Sequence, residues 1–190
     1  MRVFSSLSLF GKLMTDPVKT WEKLSLKEES VKGVFLNYFL IIIFCSSLFA
    51  FAGVFIHTGR ISLAIAQFIN VFISLVVGLF FAAKLLVLTA PNFMTEVSAG
   101  KIFKWTIYSA SAFVFFHGLS QLFASHSFLN QICLLFELYS IRLLWLGLGE
   151  ILSVSDSKKI GYVFLAGVFM LVLPLICERI FSVIFQSILH

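Results

Sequence analysis

Long apolar stretches separated by short polar breaks set the pattern of this chain. Five of them stand out, over residues 34–56, 61–88, 102–123, 128–152 and 160–180. Each is long enough, at about 1.5 Å of helical rise per residue, to cross about 30 Å of hydrocarbon. The breaks carry turn chemistry: His57-Thr58-Gly59-Arg60, residues 91–101, Ala124-Ser125-His126-Ser127, and residues 153–159. No run alternates with period two, and uninterrupted apolar runs of this length exclude a membrane β-barrel. The pattern predicts an all-α, polytopic membrane helical bundle with five transmembrane helices. The last helix either ends near Arg179 or continues to His190, and the pattern leaves both open.

The first 32 residues read differently, as an amphipathic cytosolic or interfacial arm ahead of a transmembrane domain over 33–190. Val3, Phe4, Leu7, Phe10 and Met14 fall on one helical face, with Ser5, Ser8 and Lys12 opposite and Leu9 and Leu13 off the pattern. Such a helix lies in the headgroup plane, so Phe4, Leu7 and Phe10 are expected to anchor there. Asp16-Pro17 predicts a second short helix, with Asp16 as N-cap and Pro17 at its first position. Trp21 within it is expected to be a further membrane-surface anchor. Ser25-Leu26-Lys27-Glu28 matches a capping box, which predicts a third helix starting near Ser25 and running into the bilayer.

Composition supports this choice of solvent. Hydrophobic residues make up 60% of the chain and charged residues 12%, with mean hydropathy +1.05 and 24 phenylalanines. That leaves too little polar surface to cover a water-soluble domain. The net charge of +5 would suit nucleic acid, but the basic residues sit in the arm and at span ends, where anionic headgroups are nearer. Membrane lipids, not nucleic acid, are the expected partners. Cys45, Cys133 and Cys177 lie far apart inside apolar runs and read as packing residues. No cleavable leader pattern precedes the first span, so the spans themselves are expected to direct insertion.

Lysine and arginine placement sets the expected orientation. With the N-terminus inside, the cytoplasmic side holds Arg2, Lys12, Lys19, Lys23, Lys27, Lys32, Lys84, Lys101, Lys104, Lys158 and Lys159, and the far side only Arg60. Five spans then place the C-terminus outside a cell inner (plasma) membrane.

Two segments carry a family likeness. Asp16-Pro17-Val18-Lys19-Thr20-Trp21 precedes the first span, and Leu138-Tyr139-Ser140-Ile141-Arg142-Leu143-Leu144-Trp145-Leu146-Gly147-Leu148 lies in the fourth. With the arm-and-five-span layout, they resemble the Yip family, the Ypt/Rab-interacting membrane proteins, in its short prokaryotic branch. The resemblance implies a membrane-embedded adaptor or organiser without established catalytic residues, and it supplies no site to carry over.

Nucleotide-binding loops, HExxH, GxSxG and paired Cys–His spacings are missing from the sequence. What remains is ionisable groups inside the apolar runs, each costly in hydrocarbon. Glu150 and Lys84 are close enough to span ends to reach the interface. Arg142 lies nearer mid-membrane and is expected to need a partner. It sits five residues from Glu137, roughly 140° around the helix, so those two do not pair. His117, Glu137 and Glu178 all fall two to three turns from the same surface.

The sharp expectation is that His117, Glu137 and Glu178 converge on a polar pocket, with Arg142 or Arg179 beneath. The plain alternative is an ion pair or hydrogen bond that fixes helix register. No cofactor is expected, and a metal at these three residues is the weaker reading. Gly147 and Gly149 with Ser140, and Gly78 with Ala82 and Ala83, are expected to admit a neighbouring helix closely, within one protomer in preference to a dimer seam. Pro174 is expected to kink the last span.

Two function classes follow. The first is a non-enzymatic membrane organiser, or an adaptor or subunit in a larger assembly with other membrane proteins or further copies of itself. The alternative is a small transporter or lipid-handling protein using the intramembrane Glu/Arg/His cluster.

Overall fold

The computed structural model describes residues 2–152 and 154–189, leaving aside the side chains of residues 2, 3, 186, 188 and 189. Helices account for nearly all of it, and no strand occurs among the described residues. Helices α1 (Arg2–Thr15) and α2 (Pro17–Ser25) make up the arm. Helix α3 (Val31–Val34) passes through a π-helical turn, Phe35–Phe39, into α4 (Leu40–Thr58). Helix α5 (Ile61–Thr89) ends in a 3₁₀ turn at Ala90–Asn92 and leads to α6 (Ala99–Leu122). Helices α7 (Ser127–Glu137), α8 (Tyr139–Ile151) and α9 (Asp156–Leu189) complete the bundle.

Four helical stretches among the described residues are long and apolar enough to cross a membrane: Val31–Thr58, Ile61–Asn92, Ser127–Ile151 and Asp156–Phe185. The fifth expected span corresponds to α6, which is long enough at 24 residues but less apolar. The reason is its place at the centre. It packs against α4, α5, α7 and α8 and buries Thr106, Ser109, Ser111, His117 and Ser120. A helix wrapped by protein can carry hydroxyls and bond them internally, as Thr106 does to the Ile102 carbonyl at 2.8 Å.

Glycine sets the closest helix approaches. A Cβ on Gly118 of α6 would lie 2.5 Å from the Cα of Ser46 on α4. One on Gly53 of α4 would meet the Gln121 carbonyl, and one on Gly78 of α5 the backbone of Pro174. Helix α9 runs unbroken through Pro174 and past Arg179 to Leu189; His190 lies outside the described residues. The fourth apolar stretch, expected as a single helix, is instead divided at Leu138. There the Ile141 amide bonds the Leu138 carbonyl at 3.0 Å, and the Ser140 hydroxyl takes the Glu137 carbonyl at 2.7 Å. A side chain thus replaces the missing backbone donor.

The arm corrects two expectations. Ser25 ends α2, its hydroxyl bonding the Glu22 carbonyl, and does not begin a third helix. The cap is Ser30, whose hydroxyl accepts from the Gly33 amide at 3.0 Å. Asp16 and Pro17 stand at the expected positions of α2, yet the Asp16 side chain makes no cap hydrogen bond and pairs with Lys19 at 3.4 Å.

The second correction concerns the anchors. Phe4 and Leu7 point outward, but Phe10 is buried against Phe115, their ring centroids 4.8 Å apart. Trp21 is 0% exposed. Its ring lies over Gly147 of α8, where a Cβ would come within 2.6 Å of it, and meets Tyr108 edge-on at 6.0 Å. Leu13, off the predicted stripe, is also fully buried. The stripe assumed a helix with one apolar side against a flat membrane. In the fold the arm has several covered sides, because α1 and α2 pack on each other and on α4, α6 and α8. The Val3 side chain lies outside the described residues.

A buried polar cluster and an adjoining cavity

Three helices bring the ionisable residues together. His117 lies one turn before Gln121 on α6, Glu137 is the last residue of α7, and Glu178 sits on α9 beyond Pro174. The His117 Nδ1 is 3.3 Å from Glu137 Oε1, and its Nε2 is 2.9 Å from Glu178 Oε2. The second oxygen of Glu178 accepts from the side-chain amides of Gln67 at 3.3 Å and Gln121 at 3.2 Å. His117 and Glu137 are buried.

A hydrogen bond at both ring nitrogens requires one proton in each contact, two for the trio. A doubly protonated imidazole between two carboxylates satisfies both contacts. So does a singly protonated ring with one protonated carboxyl. Charge-assisted bonds of this kind are strong in a low-dielectric setting and costly when one member is lost.

A cavity of about 460 Å³ opens beside Glu178, between α5, α6 and α9. Gln67, Asn70, His117, Gln121, Glu178, Arg179 and Ser182 line it, with Leu175 the only apolar wall among the described residues. Arg179 therefore shares the cavity. Arg142 does not: it is exposed and lies over the Tyr139 ring at 5.3 Å, on the far side of the helix break. The partner it needed, a carboxylate or a water-filled cleft by its sequence position, is here an aromatic face. No group of His, Cys, Asp and Glu arranged for a metal ion occurs among the described residues. The geometry explains why this trio does not form one: the two carboxylates lie at opposite nitrogens of the same ring and cannot share an ion.

Counting charges in the sequence missed Gln67, Asn70, Gln121 and Ser182. Uncharged amides within long apolar runs were the available signal, since each must find a partner in hydrocarbon just as a charge must.

At the opposite, lysine-rich end, Tyr108 donates to Glu29 at 3.1 Å, and Lys27 pairs with the same carboxylate at 2.6 Å. Lys101, Lys104 and Glu150 line the small cavity around them. Beside it, a groove of about 410 Å³ between α1 and α2 is lined by Lys12, Lys19, Lys23 and Lys27, with Asp16 the one acidic residue.

The model of the Yip1 domain matches residues 11–176, well over half of the chain. The chain belongs to the Yip family. It is accordingly a multi-pass integral membrane protein. Curated proteins and solved structures give no match. The Yip match takes in Trp21, His117 and Glu137 and ends before Glu178.

Proposed function

We propose that this Yip-family protein is a non-enzymatic membrane organiser, or an adaptor subunit of a larger membrane assembly, presenting its arm to headgroups and to a protein partner. The observation that carries the reading is the docking of α2. With Trp21 seated over Gly147, the arm is held against the bundle as a fixed surface. That surface offers the four lysines of the α1–α2 groove. Phe4, Val18 and Leu26 are exposed on the same arm. Basic and apolar side chains together suit an anionic membrane surface.

The lysine-rich end is then cytoplasmic, in a cell inner membrane, and the chain crosses five times with its C-terminus outside. Support for the fifth crossing comes from α6, which runs beside α4 with Gly118 facing Ser46 and Gly53 facing Gln121. Both helices therefore extend from the lysine-rich end to the opposite one.

Deleting the arm would remove the core residues Leu13 and Trp21, so charge reversal is the cleaner test. The triple variant K12E/K19E/K23E is expected to insert and fold normally while losing co-purifying protein partners and anionic lipid in mild-detergent pull-downs. Unchanged co-purification would refute the adaptor reading.

A second reading, a small transporter or lipid-handling protein, is favoured by the cavity against Glu178 and His117. A polar cavity inside an apolar domain is costly unless something occupies it. Under this reading Glu178→Gln folds but loses flux in reconstituted liposomes.

A further inference from the structure

We infer that the cavity between α5, α6 and α9 binds the phosphoethanolamine headgroup of a phospholipid; this rests on the second, lipid-handling reading and names its ligand. Glu178 sets the chemistry of one end of the cavity. A carboxylate only accepts hydrogen bonds, so the amide groups of Gln67 and Gln121 must turn their nitrogens to it, and the observed contacts of 3.3 and 3.2 Å are of that kind. Their carbonyl oxygens are thereby left as acceptors, without a donor among the described residues. Two amide oxygens beside a carboxylate form a pocket for a cation that carries N–H groups.

The opposite charge is met next to it. Arg179 lines the same cavity, and it makes no ion pair among the described residues. Ser182 follows it three residues along α9 and lines the cavity too. A guanidinium and a hydroxyl at this spacing share one helix face and suit a phosphate. Along α9, Glu178 at the acceptor end and Ser182 at the anion end are four residues apart, about 6 Å of helical rise. A two-carbon link between ammonium and phosphate has that reach.

The remaining walls narrow the choice. Choline's quaternary ammonium has no N–H to give and is recognised by aromatic faces, and no Phe, Tyr or Trp lines this cavity among the described residues. A purely anionic headgroup would oppose the Glu178 carboxylate. On the flank of α9, Leu175, Ile176 and Ile180 are exposed, and Leu175 is itself a cavity wall. Acyl chains can therefore stay in the lipid while the headgroup enters, which favours a lipid over a free solute.

The test uses the full chain in nanodiscs of mixed phosphatidylethanolamine, phosphatidylcholine and phosphatidylglycerol, with native mass spectrometry of the retained lipid. Phosphatidylethanolamine is expected to be retained at least tenfold over the other two. Glu178→Gln and Arg179→Met are each expected to lower that retention at least tenfold. Arg179 is exposed, so Arg179→Met tests the site even if Glu178→Gln fails to fold. Equal retention of the three lipids, or retention unaffected by both substitutions, overturns the inference. Binding of free O-phosphoethanolamine by a protein without lipid preference overturns the lipid source. Lipid flux in liposomes separates the two levels. Flux without headgroup preference removes this assignment alone, and preference without flux removes the lipid-handling reading while leaving the site.

Discussion

Replacing Trp21 by alanine tests whether the arm is part of the fold or rests on the membrane. The ring is fully buried, lies over Gly147 and meets Tyr108 edge-on. Its indole nitrogen has no hydrogen-bond partner among the described residues, so packing alone holds it. A tryptophan buries about 150–250 Å², which at about 25 cal/mol per Å² is worth roughly 4–6 kcal/mol against water. A released ring would settle among headgroups instead of in water, which retains part of that gain. Large-to-small core substitutions cost about 3–5 kcal/mol, and the lower figure is the appropriate one here. A loss of about 3 kcal/mol raises the undocked population roughly a hundredfold. Trypsin reads this directly, because Lys12, Lys19 and Lys23 lie in α1 and α2. When opening is fast relative to cleavage, the initial rate follows the open population. The arm of Trp21→Ala in detergent is expected to be cut about a hundred times faster than that of the parent, while Trp21→Phe, which keeps one aromatic ring and loses the rest of the indole with its unpaired N–H, is cut much less readily than the alanine variant. Cleavage of Trp21→Ala at the parent rate would refute the docking argument and restore Trp21 as a surface anchor.

Further expectations concern the helix contacts and the cluster. Gly118→Ala should lower the thermal unfolding temperature by several degrees, since the added carbon meets Ser46 backbone that cannot turn away. Gly149→Ala, with nothing within 4 Å of the new carbon, should be neutral or gain roughly 0.5–1 kcal/mol. Ser30→Ala should cost about 1 kcal/mol through loss of the α3 cap, measured by unfolding in detergent, whereas Ser25→Ala should change little. His117→Gln and Glu137→Gln should be non-additive, coupled by about 1 kcal/mol or more in a double-mutant cycle, because each leaves the other's buried group unpaired.

The sequence by itself determined the solvent, the helical class and the rough extent of every apolar segment, because a chain must shed its backbone polarity within each helix before it enters lipid. It also pointed to His117, Glu137 and Glu178, since residues at similar depth on apolar helices have few other places to find partners. Only the tertiary structure decided which side chains meet. Trp21 looks like a membrane-surface residue and Leu13 like an exception to the apolar stripe when α1 and α2 are viewed alone, and both become core once α8 and α6 supply a second apolar surface. The sequence marked Gly147 and Gly78 as places of close approach without naming what approaches; the fold seats an indole ring on one and a proline backbone on the other. Arg142 and Arg179 were equivalent in composition, yet the helix break at Leu138 and the long run of α9 sent one to a tyrosine face and the other to the cavity. Hydrophobic periodicity records how much of a helix avoids water. It cannot distinguish lipid from protein as the apolar neighbour, and contacts between residues far apart in the chain make that distinction.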